Sequence, residues 1–573
     1  MIPSTFVSTT GRCVALSLVL LMTSCVQVAQ AQQAETRVVD LSLLVAKEYP
    51  CTWPTWPAFQ LNHYRKVGPV SPYNIDILVL DANTGTQMDT PPHSIPKPGS
   101  GLPFEGPAGH IFTEDVPAWQ FGGEACVIDM REIRGKAPNG HSPRIEVEHI
   151  KAWEKKNREL SFGDVTLFRT DYSDDYYKPL PEGKRFVVDC IEKRVPGYPN
   201  PQINTLEYIA SKNVMHMGTD SPSMGTLPDI PNEVHVAGLK HGGIFTEGAT
   251  GLGQLPTTGA FYCMMGPKHI GGAYGEGRAF SIVGDPVASF LIEAVRNKRA
   301  ADLSVQMSAD YPVWWPGNEA GSHRQRYMRI NFEYAAGIDY DHHTRLIDSH
   351  SGTHLVTPSY ALPPPGFDNS TYASDVRMWL EVFEKRYGPR GTSQVTTEQV
   401  SLSQTCGWAR VIDVSHLVGS TDKDSWPVSP EIKIVDIKTH ESQHGELKPG
   451  EIVIFQSGHT DRHFKKFPEG NACLADPIAG ESEGWPAPGA AAIYYLASKG
   501  IRCVASDGPT LGGVDPKSAL MTYWALGTKG MVGVEYLINV GAIPKLPRKA
   551  YFLFAPVKIR GSHGAPGRAI VMY

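Results

Sequence analysis

The sequence has no cluster of basic residues: 53 lysines and arginines are scattered among 59 acids, for a net charge of −6. Phosphate backbones are held by concentrated positive charge, so nucleic acid is not an expected partner. The sequence also has no C-x-x-C pair. Of its nine cysteines, Cys13 and Cys25 fall near the start, and Cys51, Cys126, Cys190, Cys263, Cys406, Cys473 and Cys503 stand far apart. That spacing supports neither a disulfide framework nor a zinc-thiolate site, and buried thiols are expected instead. Past the leader, no uninterrupted apolar stretch approaches the roughly 18 residues of a membrane-spanning helix. With 41% hydrophobic and 20% charged residues, the composition is that of a soluble globular chain.

The first residues differ from the rest. Arg12, the apolar run Val14 to Met22, and Ala29-Gln30-Ala31 before Gln32 have the pattern of a secretory signal peptide over residues 1–31. A secreted or periplasmic protein is the expectation. Met22-Thr23-Ser24-Cys25 is close to a lipoprotein cleavage box, which makes Cys25 an alternative lipid anchor.

A chain of 573 residues is too long for one ordinary core. Internal similarity supplies the division. DLSLLVAKEYPCTWP from Asp40 matches DLSVQMSADYPVWWP from Asp302, CVIDM at Cys126 matches RVIDV at Arg410, and SFGDVTLFRT from Ser161 matches KPGEIVIFQS from Lys448. GTDSPSMG from Gly218 then pairs with ASDGPTLGG from Ala505, and GRAFSIV from Gly277 with GRAIVMY from Gly567. The blocks keep their order while the offset drifts from 262 (302 minus 40) to 290 (567 minus 277), as loop insertions would produce. The expected units are 37–297 and 300–573, and a junction poor in Pro and Ser, Asn297-Lys298-Arg299, predicts closely packed halves. Strand-like runs alternate with helical stretches such as Glu146 to Leu160 and Ala490 to Ser498, an α/β pattern. Asp220 and Asp507 open matching turns, which predicts a role in holding the fold. The Trp-rich stretches Trp53 to Trp56 and Trp314-Trp315 either line a cavity or pack between the halves, with packing the favoured reading.

One further pair carries the chemistry. NTGTQMDTPPH from Asn83 and HSGTHLVTPSY from His350 share a Gly-Thr frame with a Pro five residues after the Thr. Glycine allows a tight backbone approach and proline stiffens the exit, so side chains between them turn toward one place. The frame resembles H-x-G-T-H-x-D-x-P-x-H, the signature of the metal-dependent cyclase family, which includes bacterial kynurenine formamidase and isatin hydrolase. The resemblance implies two tandem α/β domains of the swivelling β/β/α type, forming a pseudo-dimer within one chain.

In the first half the signature positions are Asn83, Gly85, Thr86, Gln87, Asp89, Pro91 and His93, and the later His and Glu of the family match His235 and Glu247, twelve residues apart. The resemblance implies that Asp89, His235 and Glu247 hold a divalent ion, zinc or manganese, with Gln87 or Asn83 as weak oxygen donors and His93 as general acid/base. In the second half His350 and His354 survive, Val356 and Tyr360 replace the Asp and the last His, and Glu535 and Tyr523 stand at the places of Glu247 and His235. His350, His354 and Glu535 form a second candidate metal set. The implied function is metal-dependent hydrolysis of an amide, lactam, lactone or ester bond in a small cyclic or aromatic substrate by an activated water. The alternatives are an exported ligand-binding protein with decayed metal sites, and a metal-dependent lyase or dehydratase.

Overall fold

The computed structural model of the chain describes residues 1, 36–228, 230–316, 327–332 and 340–573. The leader with Cys13 and Cys25, on which the signal-peptide and lipid-anchor expectations rest, lies outside them. Among the described residues no helix is long and apolar enough to cross a membrane, and the seven cysteines from Cys51 onward are unpaired and buried.

In the first half the strands Gly122–Asp129, Asp164–Arg169, His216–Thr219 and Ile244–Glu247 run parallel, side by side. Parallel neighbours need a crossover, and the helices Val147–Lys156, Ile203–Ser211 and Pro231–Leu239 precede the last three strands in turn. Apolar residues three apart, Ile150 with Trp153 and Leu206 with Ile209, turn one face of the first two helices into the core. The first helix is shorter than the expected Glu146 to Leu160. Glu146 is its cap, with its N–H donating to His149 Nδ1, and Asn157 closes it by donating from Nδ2 to the Trp153 carbonyl. Antiparallel strands flank the parallel four, Phe261–Met265 and Arg278–Val283 on one side, Gln87–Asp89 and Tyr274–Glu276 on the other. Tyr274–Glu276 and Arg278–Val283 are one stretch of chain broken at Gly277, so the sheet curls until its two flanks meet in the same segment.

The second half repeats this path. Cys406–Asp413, Ile452–Gln456, Cys503–Ser506 and Val532–Glu535 are parallel, with the helices Ile434–His444, Ala490–Ser498 and Pro516–Thr528 between them. The corresponding last strand, Gly564–Met572, is unbroken: its first residues pair with His354–Val356 and the rest with Tyr551–Pro556, which closes the sheet. The chain is thus the α/β tandem that its repeats imply.

A separate four-stranded sheet joins the halves, with Gln60–Arg65 and Ile75–Asp81 from the first and Tyr327–Phe332 and His342–Asp348 from the second. Gly85 and Gly352 fix the local offset between halves at 267 (352 minus 85). At that offset the central pairing is its own mirror: Asp81 pairs with Thr344 and Ile77 with Asp348, while Val79 faces Leu346, its own counterpart. A pseudo-twofold axis therefore passes through Val79 and Leu346, as in a C2 dimer. Two cores straddle this seam. One joins Met88, Phe261 and Leu291 to Leu402, Leu553 and Ile570, and the other joins Leu78 and Leu80 to Trp314, Ile347 and Val557. Trp56 also crosses, stacking on His342 at 3.6 Å, whereas Trp315 meets Trp485 of its own half, so packing between halves holds for only part of the Trp-rich stretches.

Candidate functional site

The strand Gln87–Asp89 lies antiparallel to Ile244–Glu247, with Gln87 opposite Glu247. Alternation along the strand sends Met88 into the core and leaves Gln87 and Asp89 on the other face. The preceding loop is pinned by the Gly-Thr pair. Gly85 takes a left-handed φ of 72° where a Cβ would meet Val45 at 2.8 Å, and Thr86 donates from its hydroxyl to the Gly248 carbonyl at 2.7 Å. Thr353 does the same in the second half, donating to the Tyr536 carbonyl at 2.7 Å.

His235, on the helix Pro231–Leu239, reaches the same point. Its Nδ1–H donates to the Pro231 carbonyl at 2.7 Å, which leaves the Nε2 lone pair facing Glu247 Oε1 at 3.1 Å and Asp89 Oδ2 at 3.6 Å. Asp89, His93 and His235 each bring a ligand atom within 4.8 Å of the others, and all three are buried. Glu247 Oε1 also accepts the Met224 backbone N–H at 2.5 Å. Burial, with Glu247 alongside, pushes the Asp89 carboxyl well above its usual range, and Asp89 Oδ2 has no hydrogen-bond partner. Among the described residues no lysine or arginine pairs with either carboxylate. Two buried acids, an orphaned oxygen and an imidazole lone pair directed at both acids fit a divalent cation.

The amides behave otherwise than expected. Gln87 turns its Nε2, not its oxygen, to Glu247 Oε2 at 2.8 Å and toward Asp89 Oδ1 at 3.5 Å, because two carboxylates demand a donor. Asn83 accepts from Gln87 at 3.3 Å and donates to the Tyr274 hydroxyl at 2.7 Å. In this arrangement both are hydrogen-bonding supports rather than oxygen ligands. The Tyr274 hydroxyl in turn bonds His342 Nδ1, whose Nε2 lies 3.0 Å from Asp81.

His93 lies over the cluster, its ring 5.4 Å from that of His235 and stacked at 4.8 Å on Tyr340 of the second half. Burial, reinforced by the neighbouring His235, holds His93 well below its usual pKa and therefore neutral. Its Nδ1 faces the Asp341 carbonyl at 3.4 Å, so this nitrogen carries the hydrogen and Nε2 is left basic. Sequence reasoning missed Tyr340, Tyr274 and His342. Tyr340 and Tyr73 stand 267 apart, and that repeated tyrosine was the available signal.

The second half holds the same frame with different chemistry. His354 Nε2 lies 3.0 Å from Glu535 Oε2, as Gln87 does from Glu247, and Tyr523 occupies the place of His235, donating to Glu535 Oε1 at 2.6 Å. Val356 stands at the Asp89 position and is packed in a hydrophobic core. The His350 ring lies tilted against Tyr360 at 4.5 Å, and its Nε2 is buried without a hydrogen-bond partner. Of the second candidate set, His354 Nε2 lies 3.0 Å from Glu535 Oε2, and the His350 ring meets that of His354 edge-on at 5.2 Å. Tyr73 of the first half stacks on Tyr360 at 4.8 Å and meets Tyr523 edge-on, as Tyr340 meets His93 and His235. Each half thus lays a tyrosine across the other half's site.

At 33% identity over 142 residues, 24% of this chain and 50% of the relative, the chain is similar to isatin hydrolase of Roseibium aggregatum, spanning half the length of that curated relative. Among solved structures it is similar to isatin hydrolase A from Labrenzia aggregata bound to benzyl benzoate, with a TM-score of 0.36 and 21% identity over 47% of this chain and 100% of that one. Isatin hydrolase A from Ralstonia solanacearum aligns with a TM-score of 0.36 and 20% identity over 49% of this chain and 100% of that one. The cyclase family model matches residues 39–226 and 301–512, together more than half of the chain. By that match, twice along one polypeptide, the chain belongs to the cyclase family.

Proposed function

We propose that the protein is an exported metal-dependent hydrolase whose working site is the first-half cluster, cleaving an amide, lactam, lactone or ester bond in a small cyclic or aromatic molecule. The observation that carries this reading is the convergence of buried Asp89, His235 and Glu247 where, among the described residues, no lysine or arginine pairs with either carboxylate. Isatin hydrolase is a relative by sequence, and a cyclic amide on an aromatic ring suits a site walled by His93, Tyr274 and Tyr340.

Asp89, His235 and Glu247 would hold the cation. When bound, a divalent cation supplies Lewis acidity, which polarises a carbonyl and acidifies water. The chain's own groups do the rest. Neutral His93 takes a proton from the attacking water at Nε2 and returns it to the leaving nitrogen or oxygen. The Asp341 carbonyl fixes its tautomer, and Gln87 holds both carboxylates in place by donating to them. Tyr340 covers the imidazole and limits bulk water.

Elemental analysis of the purified full chain, with hydrolysis of isatin, a formanilide and an aryl ester as activity probes, tests the proposal. Asp89→Ala is expected to remove one divalent ion per chain and all activity, and His354→Ala to keep both. Loss of metal and activity only in His354→Ala would place the working site in the other half, and absence of metal from both would leave a binding protein. The leader pattern supports export, which amino-terminal sequencing of the mature secreted protein checks.

A further inference from the structure

A second constellation of metal-ligating groups lies at the seam. His63 and Asp76 face each other across the antiparallel strands Gln60–Arg65 and Ile75–Asp81 of the first half. His563 comes from the loop just before the strand Gly564–Met572 of the second. His63 Nδ1 is 2.7 Å from Asp76 Oδ1, and His563 Nδ1 is 3.0 Å from Oδ2 and 3.3 Å from Oδ1. One ligand atom from each of the three lies within 4.8 Å of the other two, and the imidazole rings are 5.5 Å apart.

Asp76 has no exposed side-chain surface. Its Oδ2 accepts the His563 backbone N–H at 2.8 Å and the Ser562 hydroxyl at 3.2 Å. A buried carboxylate needs a compensating cation, and among the described residues no lysine or arginine pairs with this one. Two imidazole nitrogens and one carboxylate oxygen form a donor set that zinc takes readily and calcium or magnesium does not. The His63 side chain is 37% exposed and that of His563 15%, so the cluster opens to solvent on one side, which allows exchange and leaves room for water ligands.

The cluster is no copy of the family loop. At the offset of 267, Ile330 and His343 stand where His63 and Asp76 would, and at 290 Ala273 stands where His563 would. The set therefore occurs once in the duplicated frame and takes residues from both halves. We propose that His63, Asp76 and His563 form a zinc site, separate from the first-half cluster, that ties the second half's closing strand to the first half's joining strands.

Zinc content after dialysis, measured on the full chain, tests this. Wild type is expected to hold two zinc ions per chain, Asp89→Ala one, and Asp89→Ala with His63→Gln or His563→Gln none. In the Asp89→Ala background, added Zn2+ should raise the melting temperature, an effect that His63→Gln should abolish and that Mg2+ and Ca2+ should not reproduce. Glutamine can still donate to Asp76, so the fold survives the substitution, and circular dichroism confirms that it does. His63→Gln in the otherwise wild-type chain provides a second route, with an expected fall from two ions to one. If Asp89→Ala holds no zinc, or if the glutamine variants keep it, the three residues are only a hydrogen-bonded clasp and the proposal is overturned.

Discussion

A single exchange separates the two sites. Glu247 and Glu535 are buried at equivalent strand ends, and each accepts one backbone N–H. In the first half an amide and an imidazole also face the carboxylate, and in the second an imidazole and a phenol. Only the first arrangement, beside Asp89, leaves a nitrogen lone pair among two carboxylates; Val356 has removed the second acid from the other half. The same logic of burial gives a pH prediction at His459. Burial holds this imidazole near pKa 3, while its Nε2–H donates to the Cys473 carbonyl at 2.8 Å. A depressed histidine is neutral in the fold and charged in the unfolded chain at mildly acid pH. Its contribution to stability is thus complete above about pH 6.5 and is lost as pH falls toward the folded value, by up to about 1.4 kcal/mol per unit. His459→Gln has no such group, so its deficit against wild type should be largest at pH 7.5 and shrink at pH 6 and pH 5 in urea titrations. A deficit constant across that range would show that the imidazole is not held neutral.

At the scale of elements, the tyrosine ahead of each joining strand is the feature the sequence hid. Tyr340 leads into His342–Asp348 and Tyr73 into Ile75–Asp81, and pairing of those strands across the axis carries each ring over the other half's site. Tyr340→Ala should therefore raise KM for an aromatic substrate by about tenfold, on the scale of ~1.4 kcal/mol for a lost ring contact, with Tyr340→Phe close to wild type. Tyr73→Ala should leave KM unchanged and lower stability by about 2 kcal/mol, less than the cost of emptying a fully buried aromatic site because Tyr73 is only partly buried. Equal kinetic effects at both positions would contradict the assignment of the working half. Asp89, His235 and Glu247 were legible because the Gly-Thr frame and the twelve-residue spacing are local patterns. The helix Ala490–Ser498 was legible because its apolar residues repeat at helical spacing. The position of Tyr340 depends on a strand register between segments some 260 residues apart, for which no local pattern exists. The bond of His342 to Tyr274 depends on that same register.

At the scale of the whole molecule, the seam decides what counts as a folding unit. The cores that would close each half are shared, and buried ion pairs cross between them. Arg345 of the second half bonds Glu276 of the first at 2.7 Å with neither side chain exposed, and Arg568 reaches the Thr113 carbonyl at 2.7 Å. Separating the halves would expose Leu78, Leu80, Trp314 and Ile347, take from Arg345 its bonds to Glu276 and the Tyr274 carbonyl, and leave Glu276 only His269, each a cost of several kcal/mol. The repeats at 37–297 and 300–573 are in this reading evolutionary units but not independent folding ones. Urea unfolding of the intact chain should then show one transition by tryptophan fluorescence and circular dichroism alike. Expressed separately, 37–297 and 300–573 should each aggregate, while co-expressed they should copurify as a one-to-one complex. A soluble, cooperatively folding single half would mean that the shared cores are a docked interface. Aggregation of both, relieved by co-expression, would mean that the duplication produced one domain pair with a common interior, so that the first-half site depends on the second half for its cap and for the carbonyl that orients His93.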